Sequence, residues 1–310
     1  MNVIGIQEIG IYLPAKTIDL YSQSQPFKIE RKFIDEKLGF KHLCVKDDLE
    51  ETSDLCVKAY ENLSQKVEIH LGDVDCLVVV TQNPDGYGLP HTSAIVHKKL
   101  DIHPDVACFD ISLGCSGYVQ ALSVITSFMQ GNQMKCGLLF TADPYSKVIN
   151  PDDRNTSLLF GDGATCSLIS ATPRYTVGKT LYQTSGSMSH AIEVDKDSRQ
   201  LRMEGNLVFR FVATKVPLQI DKCLHLNECK PEDVDVFLVH QGSKYIVETL
   251  AKSLKIPFEK MPFKAENVGN TVSSSLPLML ADYLECQPNC IILSGFGVGL
   301  SSATTLLRSV

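Results

Sequence analysis

The segment Phe109-Asp110-Ile111-Ser112-Leu113-Gly114-Cys115-Ser116-Gly117-Tyr118 runs from an apolar strand pattern, through a glycine-flanked turn, into a helical pattern, with a cysteine at the join. A thiol at a helix N-terminus faces the positive end of the backbone dipole, which favours its thiolate. The flanking glycines let a thioester or another backbone come close. That is a nucleophile's position. His240 directly follows the apolar run 236–239, at the C-terminal end of a strand, where open α/β sheets place their ligands. Asn270 sits in the turn Gly269-Asn270-Thr271 before a helical pattern. Taken singly, each has an ordinary reading: a buried thiol, a satisfied histidine, a helix N-cap. Together they offer a thiolate, an imidazole and a neutral amide donor on element ends. That set suits acyl-thioester chemistry better than hydrolysis by a Ser/His/Asp set.

The elements that must hold them alternate. Strand patterns fall at 3–12, 76–81, 107–111, 137–141, 165–170, 236–239, 290–294 and 301–307, and helical ones at 53–65, 91–100, 116–130, 207–226, 243–254 and 272–286. Unbroken apolarity at 76–81, 107–111 and 236–239 predicts strands covered on both faces, hence a layered α/β body. Asp73-Val74-Asp75-Cys76-Leu77-Val78-Val79 recurs as Asp233-Val234-Asp235-Val236-Phe237-Leu238-Val239, about half the chain later. Each copy is followed by a glycine-rich segment, Phe160-Gly161-Asp162-Gly163-Ala164 in one case and 295–299 in the other. This predicts duplicated halves, 1–172 carrying the cysteine and 173–310 carrying the histidine and asparagine.

The 310 residues suffice for two domain-sized units. With 29 Lys+Arg against 36 Asp+Glu and a net charge of −7, the chain lacks the electrostatic footprint of a nucleic-acid binder. No apolar run approaches the ~18 residues of a membrane span, and the start Met1-Asn2-Val3-Ile4-Gly5 has no signal-type pattern, so a cytoplasmic protein is expected. The 11 cysteines are scattered without a CxxC, which argues against both a disulfide framework and a zinc cluster.

Four separated motifs resemble, in order, the β-ketoacyl-[acyl-carrier-protein] synthase III family of the thiolase-like fold: Gly114-Cys115-Ser116-Gly117, Val239-His240-Gln241, Gly269-Asn270-Thr271 and the glycine loop 295–299. Gly10-Ile11-Tyr12-Leu13-Pro14, Phe160-Gly161-Asp162-Gly163-Ala164 and Gly205-Asn206 with Phe209 add to the likeness. The resemblance implies a layered αβαβα architecture, a homodimer whose sheets continue across the interface, and no metal or bound cofactor. It implies that Cys115 accepts an acyl group from acyl-CoA, which then condenses with malonyl-acyl carrier protein as CO₂ leaves. His240 and Asn270 would stabilise the enolate, and the backbone N–H groups of Cys115 and Val298 would hold the second oxyanion. Phe296 would shield the thiol.

The same resemblance assigns CoA or pantetheine binding to Phe33, Lys37, Arg154, Gly205, Asn206 and Phe209. Phe33 and Lys37 stand where the family has Trp and Arg. Phe offers less stacking area and Lys no planar fork, so weaker CoA binding or a different donor is expected. Leu89 falls where the dimer partner reaches into the acyl pocket, usually with Phe, and its smaller size points to a longer primer. Ser302 replaces a tryptophan common after the glycine loop. These departures point to a specialised pathway. Arg210, Lys215, Lys244 and Lys252 are the candidates for docking the acidic carrier. The alternative activity is an acyltransferase that moves the acyl group to an alcohol or amine without condensation. Thiolases and hydroxymethylglutaryl-CoA synthases fit less well, since the C-terminal loop has no Cys-x-Gly and 116–130 no Glu. Chalcone-synthase-like enzymes are usually longer, and a scaffold paralogue would not keep all three site residues.

Overall fold

A computed structural model describes residues 3–310; Met1 and Asn2, at the start read above for signals, lie outside the described residues. The strands are β1 (Gly5–Tyr12), β2 (Thr17–Asp19), β3 (His42–Cys44), β4 (Cys76–Val80), β5 (Ala107–Ile111), β6 (Cys136–Ala142), β7 (Ala164–Ser170), β8 (Tyr175–Val177), β9 (Leu181–Thr184), β10 (Ile192–Val194), β11 (Leu201–Met203), β12 (Val236–Val239), β13 (Cys290–Gly297) and β14 (Ser301–Ser309). The helices are α1 (Leu20–Gln23), α2 (Arg31–Phe33), α3 (Thr52–Ser64), α4 (Thr92–Lys99), α5 (Gly117–Gly131), α6 (Gly205–Leu226), α7 (Lys244–Leu254) and α8 (Ser275–Cys286). Each longer helix and strand expected from the apolar period is present, with its ends moved by a few residues. The short strands β2, β3 and β8 to β11 carry no such period and are set by their partners.

Alternation along the strands explains the layering. In β4, Leu77 and Val79 pack with α3 and α4, whereas Cys76, Val78 and Val80 pack with α5 and α8. In β12, Val236 and Leu238 join that same α5/α8 core, while Phe237 and Val239 face α6 and α7. Five layers result: α3/α4, the strands β1, β7, β6, β4 and β5, then α5/α8, the strands β8, β14, β13 and β12, and α6/α7. The helices read as their stripes require. In α7, Val247, Leu250 and Ala251 point inward, and the Ser243 hydroxyl caps the start by accepting the Ile246 N–H at 3.3 Å. The two strand sets are hydrogen-bonded into one sheet where Gly5 and Ile6 of β1 meet Thr176 and Tyr175 of β8.

The sequence echo has a structural counterpart. Asp75 takes the Cys136 N–H at the start of β6 (2.9 Å), and Asp235 takes the Cys290 N–H at the start of β13 (3.0 Å). β5 is packed on both faces, with Ala107, Phe109 and Ile111 towards α5 and Cys108 towards α3 and α4; it is half-buried and lies at one edge of the sheet, where only β4 pairs with it. One sequence expectation needs correction. The helix after the cysteine starts at Gly117, with Ser116 as its cap, so Cys115 lies in the turn rather than in the first helical turn.

Candidate active site

Cys115 is held between two backbones. Its turn follows β5, closed by the Gly117 N–H donating to the Gly114 carbonyl at 2.7 Å. From the opposite side comes the glycine loop at the end of β13. A Cβ on Gly295 would lie 2.5 Å from the Cys115 carbonyl oxygen, and one on Gly297 would lie 2.7 Å from the thiol sulfur. Only glycine permits that approach. Cys115 is 5% exposed, and burial, with the Asp143 carboxyl as the next contribution, pushes its thiol up to about 12; the backbone N–H groups of Val298 and Cys115 itself oppose the shift. Burial thus works against the thiolate that the helix start and the two N–H groups favour.

His240 follows β12, whose Val239 is in register with Ser294 of the parallel β13. Its Nδ1 lies 2.7 Å from the Ser275 hydroxyl at the start of α8, and its ring stands edge-on to Phe296, with centroids 5.5 Å apart. Burial lowers its pKa to about 3, so the imidazole is neutral in the folded protein. Asn270 is fixed by three bonds. Its N–H donates to Leu159 O at 2.8 Å, its carbonyl accepts the Gly161 N–H at 3.0 Å, and its Oδ1 accepts the Val272 N–H at 3.0 Å. With Oδ1 engaged and no hydrogen bond among the described residues using Nδ2, the amide presents a donor. Asn270 is therefore no helix N-cap; Thr271 holds that place for the short turn that follows. Val272 adopts φ +52°, a left-handed conformation rare for a β-branched residue, and is fully buried.

Cys115, His240, Asn270, Phe296 and Val298 line one cavity of about 460 Å³. Phe33, Lys37, Gly205, Asn206 and Phe209 line its outer part, and it borders a groove of about 520 Å³ that Arg154 lines. At the mouth Phe209 stacks on Tyr245 (5.4 Å between centroids), and the Lys37 ammonium lies 3.8 Å from the centroid of the Tyr245 ring. Leu89 is not part of this cavity within one chain; it stands 92% exposed, outside the lining. Arg210, Lys215 and Lys252 are exposed on α6 and α7, and Lys244 is half-buried against Gly39.

Sequence reasoning missed Ser275, Asp143, Tyr145, Gln82 and Tyr245. Ser275 lies in a run of three serines that marked only a helix start. Asp143 follows β6, a strand end like His240's, and that position was the available signal.

The fold and the Cys-His-Asn set define the class, a thiolase-like condensing enzyme. Residues 109–186 match the family 3-oxoacyl-[acyl-carrier-protein (ACP)] synthase III, and residues 224–309 its C-terminal family. The chain is 30% identical to a β-ketoacyl-[acyl-carrier-protein] synthase III of Koribacter versatilis, the match covering 98% of this chain and 97% of that one. A crystal structure of a 3-oxoacyl-(acyl-carrier-protein) synthase III is similar, with a TM-score of 0.92 at 29% identity over 99% of both chains. The Aquifex aeolicus enzyme has a TM-score of 0.92 at 25% identity, covering 98% of this chain and 99% of that one. The chain belongs to the β-ketoacyl-[acyl-carrier-protein] synthase III family.

Proposed function

We propose that the chain primes chain elongation by transferring an acyl group from acyl-CoA to Cys115 and condensing it with malonyl-acyl carrier protein. One observation carries this reading: the thiol, a neutral imidazole, a free amide donor and two backbone N–H groups meet at one cavity. In the first step the Cys115 sulfur attacks the thioester carbonyl. Its proton leaves with CoA as the thiol, so no standing thiolate is required. The N–H groups of Cys115 and Val298 stabilise the oxyanion. In the second, malonyl carboxylate is released as CO₂, and the electron pair left on the α-carbon is held as an enolate whose oxygen accepts from His240 and Asn270. A Ser275 hydroxyl donating to Nδ1 keeps the His240 proton on Nε2, the donor this step needs. The enolate carbon attacks the acyl-Cys115 carbonyl. The C–S bond breaks, and the thiolate takes up one proton.

Phe33, Lys37, Phe209 and Arg154 would receive the CoA or pantetheine arm, and Phe296 excludes water from the acyl-enzyme. The free edge of β5 and exposed Leu89 fit a homodimer in which a partner completes the acyl pocket. Carrier and CoA substrates support a cytoplasmic reaction. The test is intact mass after mixing with acetyl- to octanoyl-CoA, beside Cys115→Ala, followed by a chase with malonyl-acyl carrier protein. A Cys115-dependent adduct discharged as a 3-oxoacyl carrier product is expected. An adduct that the chase leaves untouched indicates transfer without condensation and overturns the reading.

A further inference from the structure

Loss of CO₂ supplies the electron pair of the condensation, but one proton has still to reach Cys115. When the tetrahedral adduct collapses, the C–S bond breaks and its electrons stay on the sulfur, where burial opposes a thiolate. Such a leaving group needs a proton as the bond breaks. On the condensing reading, the product's pantetheine arm then fills the passage along Phe33, Lys37 and Phe209. Lys37 and Tyr245 stand at the mouth. At the thiol's end the one other titratable side chain in the lining is His240, edge-on to Phe296, whose neighbour Gly297 abuts the sulfur. Burial keeps its ring neutral, so it can release a proton from one nitrogen only as the other gains one.

The second nitrogen has a route to solvent. Nδ1 lies 2.7 Å from the Ser275 hydroxyl, and Ser275 also lines a separate cleft of about 150 Å³ that shares no lining residue with the active-site cavity. Gln241 and Thr271, the residues directly after His240 and Asn270, line the cleft too, so it backs onto the same pair. Its rim carries the exposed Lys264–Asp282 ion pair, at 2.8 Å. The Gln241 amide is engaged elsewhere: Nε2 donates to Val239 O at 2.8 Å, and Oε1 accepts the Lys264 N–H at 2.8 Å. Ser275 is left as the link between cleft and imidazole. A hydroxyl donates to a bare Nδ1 and accepts from a protonated one, so it serves both tautomers of the ring.

We propose that Ser275 relays a solvent proton from this rear cleft to His240 as the C–S bond breaks. Nε2 gives its proton to the Cys115 sulfur, the Ser275 hydroxyl gives its own to Nδ1, and water in the cleft restores the hydroxyl with a proton drawn from bulk solvent. Once the product has left, Nε2 takes a proton from water in the front cavity and Nδ1 returns one through Ser275, which resets the ring. The inference rests on the condensing reading and adds proton flow to the hold that Ser275 has on the tautomer. The experiment preloads Cys115 with acetyl-CoA and follows its discharge by malonyl-acyl carrier protein in H₂O–D₂O mixtures, with rapid quenching and intact mass. The parent rate is expected to fall along a curve as the deuterium fraction rises, the mark of several protons moving together. Ser275→Ala should slow discharge about 10- to 100-fold and straighten the plot. Ser275→Thr, which keeps the hydroxyl, should recover both rate and curvature. Leu278→Trp, which narrows the cleft and leaves the Ser275–His240 contact in place, should slow discharge severalfold at saturating carrier. A straight plot for the parent, a curve that survives Ser275→Ala, or parental discharge by Leu278→Trp overturns the inference and leaves the condensing reading standing. A parent adduct that the carrier does not discharge overturns both.

Discussion

At Cys115 the thiol and its surroundings pull in opposite directions. Burial and Asp143 push the thiol up to about 12, against the two N–H groups that face it. Far below such a pKa the thiolate fraction rises tenfold per pH unit. Alkylation of Cys115 by iodoacetamide, followed by mass with Cys115→Ser as control, should therefore climb without a plateau from pH 7 to 9. A plateau near neutrality would show a standing thiolate. His240 titrates the other way. Its pKa falls from 6.5 unfolded to about 3 folded, because burial disfavours the imidazolium. The unfolded chain then binds a proton that the folded one refuses, so this contribution is intact above pH 6.5 and is lost as pH falls towards 3. The slope is about 1.4 kcal/mol per pH unit for one group. Urea titrations between pH 7 and 4 should show His240→Gln losing stability less steeply than the parent; parallel slopes would refute the buried neutral imidazole. The sequence made Cys115, His240 and Asn270 legible because each borders an element with its own period. It did not show the burial that opposes the thiolate or the Ser275 contact at 2.7 Å. Both depend on what the fold packs around a residue, and Ser275 reaches His240, at the end of β12, from the start of α8.

Glycines at the ends of elements divide by what lies opposite them. Gly297 ends β13 with Cys115 Sγ 2.7 Å from where a Cβ would be, whereas Gly131 ends α5 with nothing within 4 Å. Gly297→Ala should block acyl loading, because neither the loop nor the cysteine turn can recede without opening the core, and intact mass reads the loss directly. Gly131→Ala should load normally and raise stability by about 0.5–1 kcal/mol, through the helix propensity of alanine. Normal loading by Gly297→Ala would mean that the glycine loop has room the geometry denies. The same elements show where pattern reading stops. The apolar run of β5 predicted cover on both faces, and helices lie on both, but the run did not show that the strand is at the sheet's edge. Apolarity reports that a surface is to be covered, and whether a helix or a second chain covers it is a property of the assembly.

The assembled molecule carries two surfaces that a single chain leaves open. Around β5, an unpaired strand edge and exposed Leu89 invite a second copy. If the partner's Leu89 bounds the acyl pocket, Leu89→Phe should shorten the longest primer loaded on Cys115 by roughly the bulk of one ring, with the dimer retained on sedimentation. An unchanged primer range would remove Leu89 from the pocket. Around the mouth, the chain must receive an acidic carrier although its own net charge is −7. Long-range repulsion is then offset only by local positive charge within about one Debye length, ~8 Å at physiological salt. Lys244 and Lys252 lie on α7, whose Tyr245 and Ile246 line the cavity, so their charge acts near the entering arm. On the proposed reading acyl-CoA would meet only the lining at Phe33, Arg154 and Phe209, whereas the carrier would also rest on the rim. Lys244→Glu with Lys252→Glu should raise KM for malonyl-acyl carrier protein about tenfold, and more at low salt, while acyl loading from CoA changes by less than about twofold. Equal effects on both substrates would place the lysines in the tunnel's general field rather than on a docking face.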